Sequence, residues 1–165
     1  MPLSMTIETT GKGVLDCAFK VHTKLGPGLL ESVYEAAMSR ELRKLGHRVD
    51  RQKPIPVYYD GELLEEVGFR ADLIVDDAVL LELKSVAQVT DTFKKTTWNY
   101  LRLIPLRLGF LINFNEVHLK SGITRVANRL PEPTRDESVY SASNPLVPLR
   151  DNLKGLAKVR KVSKD

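Results

Sequence analysis

Gly68-Phe-Arg-Ala-Asp-Leu-Ile-Val-Asp-Asp-Ala-Val-Leu-Leu-Glu-Leu-Lys84 is the stretch on which the reading of this chain turns. Two apolar runs flank the turn signal Asp76-Asp77, which predicts two antiparallel strands, Glu62 to Val75 and Ala78 to Val86. Glu82 and Lys84 stand two apart and share one strand face, while Leu81 and Leu83 take the other. A three-residue loop, Asp76-Asp77-Ala78, pairs Val75 with Val79 and therefore Asp72 with Glu82, which puts two carboxylates together beside Lys84. A two-residue loop slips the register by one and sends Asp72 to the opposite face. Like charges facing each other destabilise a hairpin, and a divalent cation would offset this: Mg²⁺ prefers carboxylate oxygens and keeps waters for exchange. By itself an Asp…Glu-x-Lys pattern is common by chance. Its ordinary reading is a solvated hairpin face on which Lys84 screens Glu82.

Outward from this hairpin the elements follow in order. Arg48 to Tyr59 reads as extended, with Pro54 and Pro56 arguing for an edge position, and Asp60-Gly61 is a hairpin turn signal. Upstream, Val14, Cys17, Ala18, Val21 and Leu25 recur at helical spacing until Gly26-Pro27-Gly28 breaks the helix; a second helix runs from about Leu29 to Leu45 and stops at Gly46. Downstream, Thr90 or Asp91 caps a helix through Leu103, and Arg107 to Phe114 is a very apolar strand before a short terminal element. The order α-α-β-β-β-α-β predicts an α/β (α+β) mixed sheet with helices packed against it.

These elements fill a body from about residue 8 to 130. The remainder, 131–165, opens with Pro131-Glu-Pro133 and Ser-rich stretches that read as linker. It ends in a segment, 150–165, with six basic and two acidic residues, either a solvated tail or a short basic amphipathic helix. The whole chain has 165 residues, 42% of them apolar and 28% charged, which fits one compact domain and excludes wholesale disorder. No apolar run nears the roughly 20 residues of a membrane span, and no secretory signal is visible. Cys17 is the only cysteine, so a disulfide framework, a zinc-finger cage and a four-cysteine cluster are excluded within one chain; a reducing, cytoplasmic setting fits. A net charge of +4 permits nucleic-acid binding without establishing it.

Glu31 adds a third carboxylate. It shares a helix face with Tyr34, Met38, Leu42 and Leu45, a face otherwise apolar or aromatic. There it would be partly buried, at a cost of several kcal/mol unless paired or bound to a cation. The competing reading is a glutamate that caps the helix N-terminus.

With these residues in place, Gly28-Leu-Leu-Glu31-Ser-Val-Tyr34, Phe69-Arg-Ala-Asp72, Glu82-Leu-Lys84, Tyr100-Leu-Arg and Leu111-Ile-Asn-Phe114 resemble the GxxExxY family, which is placed in the PD-(D/E)XK nuclease superfamily. The resemblance covers about residues 8–130 and implies a restriction-endonuclease-like core. It implies that Asp72 and Glu82 are metal ligands, joined by the Leu83 backbone carbonyl, on Mg²⁺ or Mn²⁺. It implies that Lys84 is the catalytic lysine, and that Glu31 binds the ion through a water or orients the attacking water. One departure stands out: relatives often carry a glutamine four residues before the tyrosine, where this chain has Thr96.

The implied activity is metal-dependent hydrolysis of a nucleic-acid phosphodiester. Lys94, Lys95, Arg102, Arg107 and the basic tail are candidate phosphate contacts. Tyr34, Trp98 and Tyr100 are candidate stacking residues, with core packing the competing reading for Trp98. Arg70 is placed to pair with a carboxylate, and His22 to reach Glu31. Two rival readings are a nuclease-fold module that binds nucleic acid without cutting it, and a protein-interaction scaffold whose acidic cluster is structural. The residues leave open DNA against RNA, strandedness, endo against exo cleavage, and whether the protein forms a homodimer.

Overall fold

The computed structural model describes residues 3–130; the linker and basic tail expected at 131–165 lie outside them. Two helices, α1 (Leu3–Leu25) and α2 (Glu31–Lys44), precede three strands, β1 (Val49–Tyr59), β2 (Glu62–Val75) and β3 (Val79–Lys84). Helix α3 (Asp91–Leu103) leads to β4 (Leu108–Asn113), and a 3-10 turn (Leu119–Gly122) leads to β5 (Ile123–Ala127). The five strands lie in the order β1-β2-β3-β4-β5, with β3 and β4 parallel and every other pair antiparallel. None of the described helices is long and apolar enough to cross a membrane.

The expected mixed sheet with helices is therefore present, with two differences. The terminal element contains a fifth strand, and α1 starts well before the Val14 periodicity. Its first turns hold Thr9, Thr10, Gly11 and Gly13, all weak helix formers, so their helicity comes from packing. Ile7 is buried, and Gly11 lies so close to Leu108 that an added Cβ would stand 2.9 Å from it. At the other end Leu25 is exposed, although the spacing places it on the apolar face.

The sheet divides two cores. Val14, Cys17, Val21, Tyr34, Met38, Leu42, Leu81, Leu83 and Phe110 pack between the sheet and the α1–α2 pair. Ile55, Ala71, Ile74, Leu80, Tyr100 and Leu101 pack between the sheet and α3, with Trp98 half-buried at the margin. Strand β3 is central and buried on both faces through Leu83, as expected of a strand covered on both sides.

Both turns behave as their residues predict. Asp60 and Gly61 each take positive φ and close a two-residue hairpin with Tyr59 opposite Glu62. Asp76 and Asp77 also take positive φ, and Val75 pairs with Val79, the register of the three-residue loop. Asp76 is tied back to the start of β1: its carboxylate accepts from the Arg48 N–H at 2.8 Å and meets His47 Nδ1 at 2.6 Å. Strand β1 is at the sheet edge, where Pro54 and Pro56 suit it.

Candidate active site

The β2–β3 ladder ends at the pair Leu73–Leu81, but β3 continues to Lys84 alongside β4. From Glu82 onward the edge of β3 that faces β2 is therefore not held by backbone. Asp72 takes that place with its side chain: Oδ2 accepts the Leu83 N–H at 2.8 Å. The Asp72 carboxyl is pushed above its ordinary range, chiefly by burial, with the Leu83 N–H and Lys84 working against the rise.

Glu82 points to the α3 side of β3 and is 6% exposed. Burial first, and then the charge of Asp72, push its carboxyl up to about 8. Lys84 opposes this weakly, with Nζ 3.5 Å from Glu82 Oε2. Lys84 Nζ also donates to the Leu83 carbonyl at 3.1 Å and lies 5.5 Å from the centre of the Phe93 ring on α3. Glu82 Oε1 is buried and has no hydrogen-bond partner among the described residues. A buried carboxylate oxygen of that kind costs a few kcal/mol, of order 1–3 and more when charged. Tyr100 feels the same two carboxylates: burial, then Glu82 and Asp72, push its phenol to about 12.

This arrangement suits a hard divalent cation. The donors are two carboxylates and one backbone carbonyl, all oxygen, with the orphaned Oε1 the most in need of a partner. Among the described residues no three His, Cys, Asp or Glu side chains converge, so a closed cage of the structural-zinc type is not present there.

Glu31 differs from the expectation of burial. It is the first residue of α2 and exposed, and its Oε1 accepts the Ser85 N–H at 3.3 Å. The apolar face begins at Tyr34, because the first turn projects past the core. Glu31 nevertheless reaches the end of β3, since Ser85 Oγ also donates to the Leu29 carbonyl at 2.6 Å. From the other side Asn113 holds Val86 through two hydrogen bonds, of 3.0 and 2.9 Å. The residues after Lys84 are thus clamped between the Gly-Pro-Gly loop and β4.

Tyr34 has no face free for a nucleobase. It is fully buried and stacks on Phe114 with ring centres 4.4 Å apart. Its hydroxyl donates to the Gly26 carbonyl at 2.6 Å and accepts the Leu29 N–H at 3.1 Å, which seats the loop that carries Glu31. Tyr34→Phe keeps the stack and removes both bonds, so urea denaturation is expected to show a loss of about 1–2 kcal/mol. An unchanged midpoint would deny the hydroxyl this role.

The remaining candidates are dispersed. His22 Nε2 meets the Glu116 carbonyl at 2.8 Å and is engaged there rather than with Glu31. Arg70 donates to the Gln52 carbonyl at 3.3 Å and has no carboxylate partner among the described bonds. Tyr100 is 8% exposed and packs against Phe69, so it forms a wall rather than an open stacking face. Lys94 is 3.7 Å from Asp91, Lys95 and Arg107 are exposed, and Arg102 lies over the Trp98 ring at 4.7 Å. Thr96 is half-buried on α3 and lines a groove with Phe69 and Tyr100.

Gln52 is the site residue that sequence reading misses. It has φ 49° and lies between the pairs Arg51–Leu73 and Lys53–Ala71, opposite Asp72. Its Nε2 donates to Asp72 Oδ1 at 3.3 Å and to Glu35 Oε2 at 2.7 Å, while Arg51 Nε donates to Glu35 Oε1 at 2.8 Å. Left-handed backbone at a glutamine is strained, and such strain tends to collect at functional sites. Glu35, 7% exposed, anchors the amide from below.

Compared with known proteins, the chain matches a family model described as the PD-(D/E)XK nuclease superfamily over residues 8–126. That span holds Glu31, Gln52, Asp72, Glu82, Lys84 and the whole of α3. No curated protein and no solved structure matches it.

Proposed function

The chain belongs to the PD-(D/E)XK nuclease superfamily, and on that footing we propose that it is a metal-dependent nuclease whose catalytic residues are Asp72, Glu82 and Lys84. The observation that carries this reading is the buried Glu82 Oε1, unpartnered among the described residues, beside Asp72, with the Lys84 ammonium 3.5 Å from the other Glu82 oxygen. A scaffold gains nothing from such a cluster, which destabilises the fold unless a cation fills it.

Asp72, Glu82 and the Leu83 carbonyl are the groups that would hold Mg²⁺ or Mn²⁺. When bound, such an ion acidifies the attacking water and offsets charge on the phosphoryl group. Lys84 Nζ donates to the Leu83 carbonyl at 3.1 Å. Its ammonium is the group that would bind a phosphate oxygen in the transition state. Gln52 keeps Asp72 turned toward the Leu83 N–H. Glu31, at the rim of the same strand end, is suited to orient the attacking water. Lys95, Arg102 and Arg107 are suited to contact phosphates. We place the chain in the GxxExxY branch, in a domain of residues 8–130, on the pattern Gly28 to Tyr34; the buried Cys17 suits a reducing, cytoplasmic setting.

A second reading, a module that binds nucleic acid without cutting it, rests on Thr96, which offers no amide where the family this chain resembles often has a glutamine. One experiment tests both: Mn²⁺ titration of the wild type and Glu82→Ala by thermal shift, with cleavage of DNA and RNA on the same samples. The expected result is a rise of several degrees in the wild type at a hundredfold excess over Kd, from about 2.7 kcal/mol of linkage. That rise is absent in the variant and accompanied by cleavage. A metal response without cleavage would favour the second reading. Neither response would return the cluster to the scaffold reading.

A further inference from the structure

Beside the carboxylates, between β2 and α3, Phe69, Thr96, Asn99, Tyr100, Arg102 and Leu103 line a groove of about 320 Å³. Its floor and rim combine three kinds of chemistry. Phe69 is 44% exposed although its β2 neighbour Ala71 and its β1 partner Ile55 are fully buried. Its ring leans against the buried Tyr100 with centres 5.3 Å and planes 46° apart, so part of it is braced while the residue stays 44% exposed to a ligand. Asn99 is exposed on the rim and supplies an amide that can both donate and accept; Thr96 supplies a hydroxyl. Arg102 supplies a cation, and its stack on Trp98 at 4.7 Å limits its freedom before any ligand arrives.

A single exposed phenylalanine needs no explanation. Here the ring is grouped with an amide, a hydroxyl and a pre-oriented guanidinium, and the set is joined to the carboxylate site. Tyr100 is the shared wall: it lines the groove, and its phenol is raised in part by Glu82 and Asp72. A ligand in the groove would therefore share the Tyr100 wall with the carboxylate site.

We propose that this groove is a subsite for one unpaired nucleobase of a single-stranded nucleic acid, stacked on Phe69, with its edge toward Asn99 and Thr96 and an adjoining phosphate on Arg102. This deepens the nuclease reading and rests on it. A base in a duplex has both faces covered by its neighbours and its pairing edge occupied, so it cannot offer a face to Phe69. An unpaired base offers both. Stacking accepts any base, and Asn99 and Thr96 lie where an edge contact would add preference.

The test uses the full-length Asp72→Asn protein without divalent metal, so that binding is read without cutting. A fluorescent single strand carrying one 2-aminopurine, and a blunt duplex of equal length, are titrated by anisotropy. The same is done with Phe69→Leu added, which keeps apolar bulk against Tyr100 and removes the ring; thermal melting checks that it folds. The parent is expected to bind the single strand more tightly than the duplex and to quench 2-aminopurine. Phe69→Leu is expected to weaken single-strand binding about tenfold, within the range of one base–aromatic stack, to restore the emission, and to leave duplex binding unchanged. Equal affinity for both probes, or indifference to Phe69→Leu, would overturn the subsite. So would absence of binding to either probe. The Mn²⁺ response and cleavage by the wild type report separately on the nuclease reading, which survives any of these failures if both are present.

Discussion

Glu82→Gln is expected to make the metal-free protein more stable at pH 9, by an amount of order 3 kcal/mol, while abolishing metal-dependent cleavage. The sign follows from protons. Glu82 holds its proton up to about pH 8 in the folded protein, against an ordinary 4.5 in the unfolded chain. Between those values the folded state binds more protons, so the stability of the wild type falls as pH rises from 4.5 to 8. Glutamine has the shape of the protonated form and does not titrate. The gain is therefore absent below pH 4.5, grows through the window and is complete above 8. Urea denaturation at pH 4, 6 and 9 in EDTA checks it. A second part makes the test specific to a cation site: millimolar Mn²⁺ should stabilise the wild type at pH 9 and leave Glu82→Gln unmoved. Equal stability of the two proteins at pH 9 would mean that Glu82 is not held under this strain.

Lys84→Ala is expected to lower kcat by about 10²–10³-fold, the effect of removing one charged group aimed at a transition state. Its effect on the fold is expected to be smaller. Lys84 is a weak counterion to Glu82 at 3.5 Å, and its other contacts are the Leu83 carbonyl and the Phe93 ring. Removing it leaves Asp72, Glu82 and Gln52 in place, so the Mn²⁺ thermal shift should persist in the variant. Metal binding retained with catalysis lost separates Lys84 from the ligands, whose replacement should remove both. Wild-type-like cleavage by Lys84→Ala would sink its assignment.

The parts of this site that could be read in the sequence are those fixed by short-range rules. A three-residue turn sets Val75 against Val79 and so leads Asp72 toward Glu82, although the ladder itself stops one pair short, and the period of two carries Glu82 to Lys84. The same rules fail one strand away. A regular ladder from the Asp60-Gly61 turn would set Val49 opposite Asp72. Irregularities between Ile55 and Tyr58 slip β2 by three residues and bring Gln52 there instead. No local signal in β1 announces those shifts, although the adjacent Pro54 and Pro56 mark a strand that cannot run as a full ladder. The exposure of Glu31 escapes the sequence for a related reason: helical spacing tells which face a residue is on but not whether the core extends to that turn. The terminal element can be read only as short, not as a strand, because Ile123-Thr-Arg-Val-Ala127 has five residues, two of them polar, and it lies as a strand against β4.

The prolines of β1 bear on how other chains can approach this fold. An edge strand normally offers a row of N–H and C=O groups to any extended segment that comes alongside, and so invites intermolecular sheet growth. Neither Pro54 nor Pro56 has a donor, and prolines in an edge strand turn the missing donor outward. The row is interrupted twice within three residues, in a strand of eleven. Among the described strands, β5 is the other edge and contains no proline. Strand addition, whether by a regulatory peptide or by an aggregating copy, is thus disfavoured at the margin on which Gln52 supports Asp72.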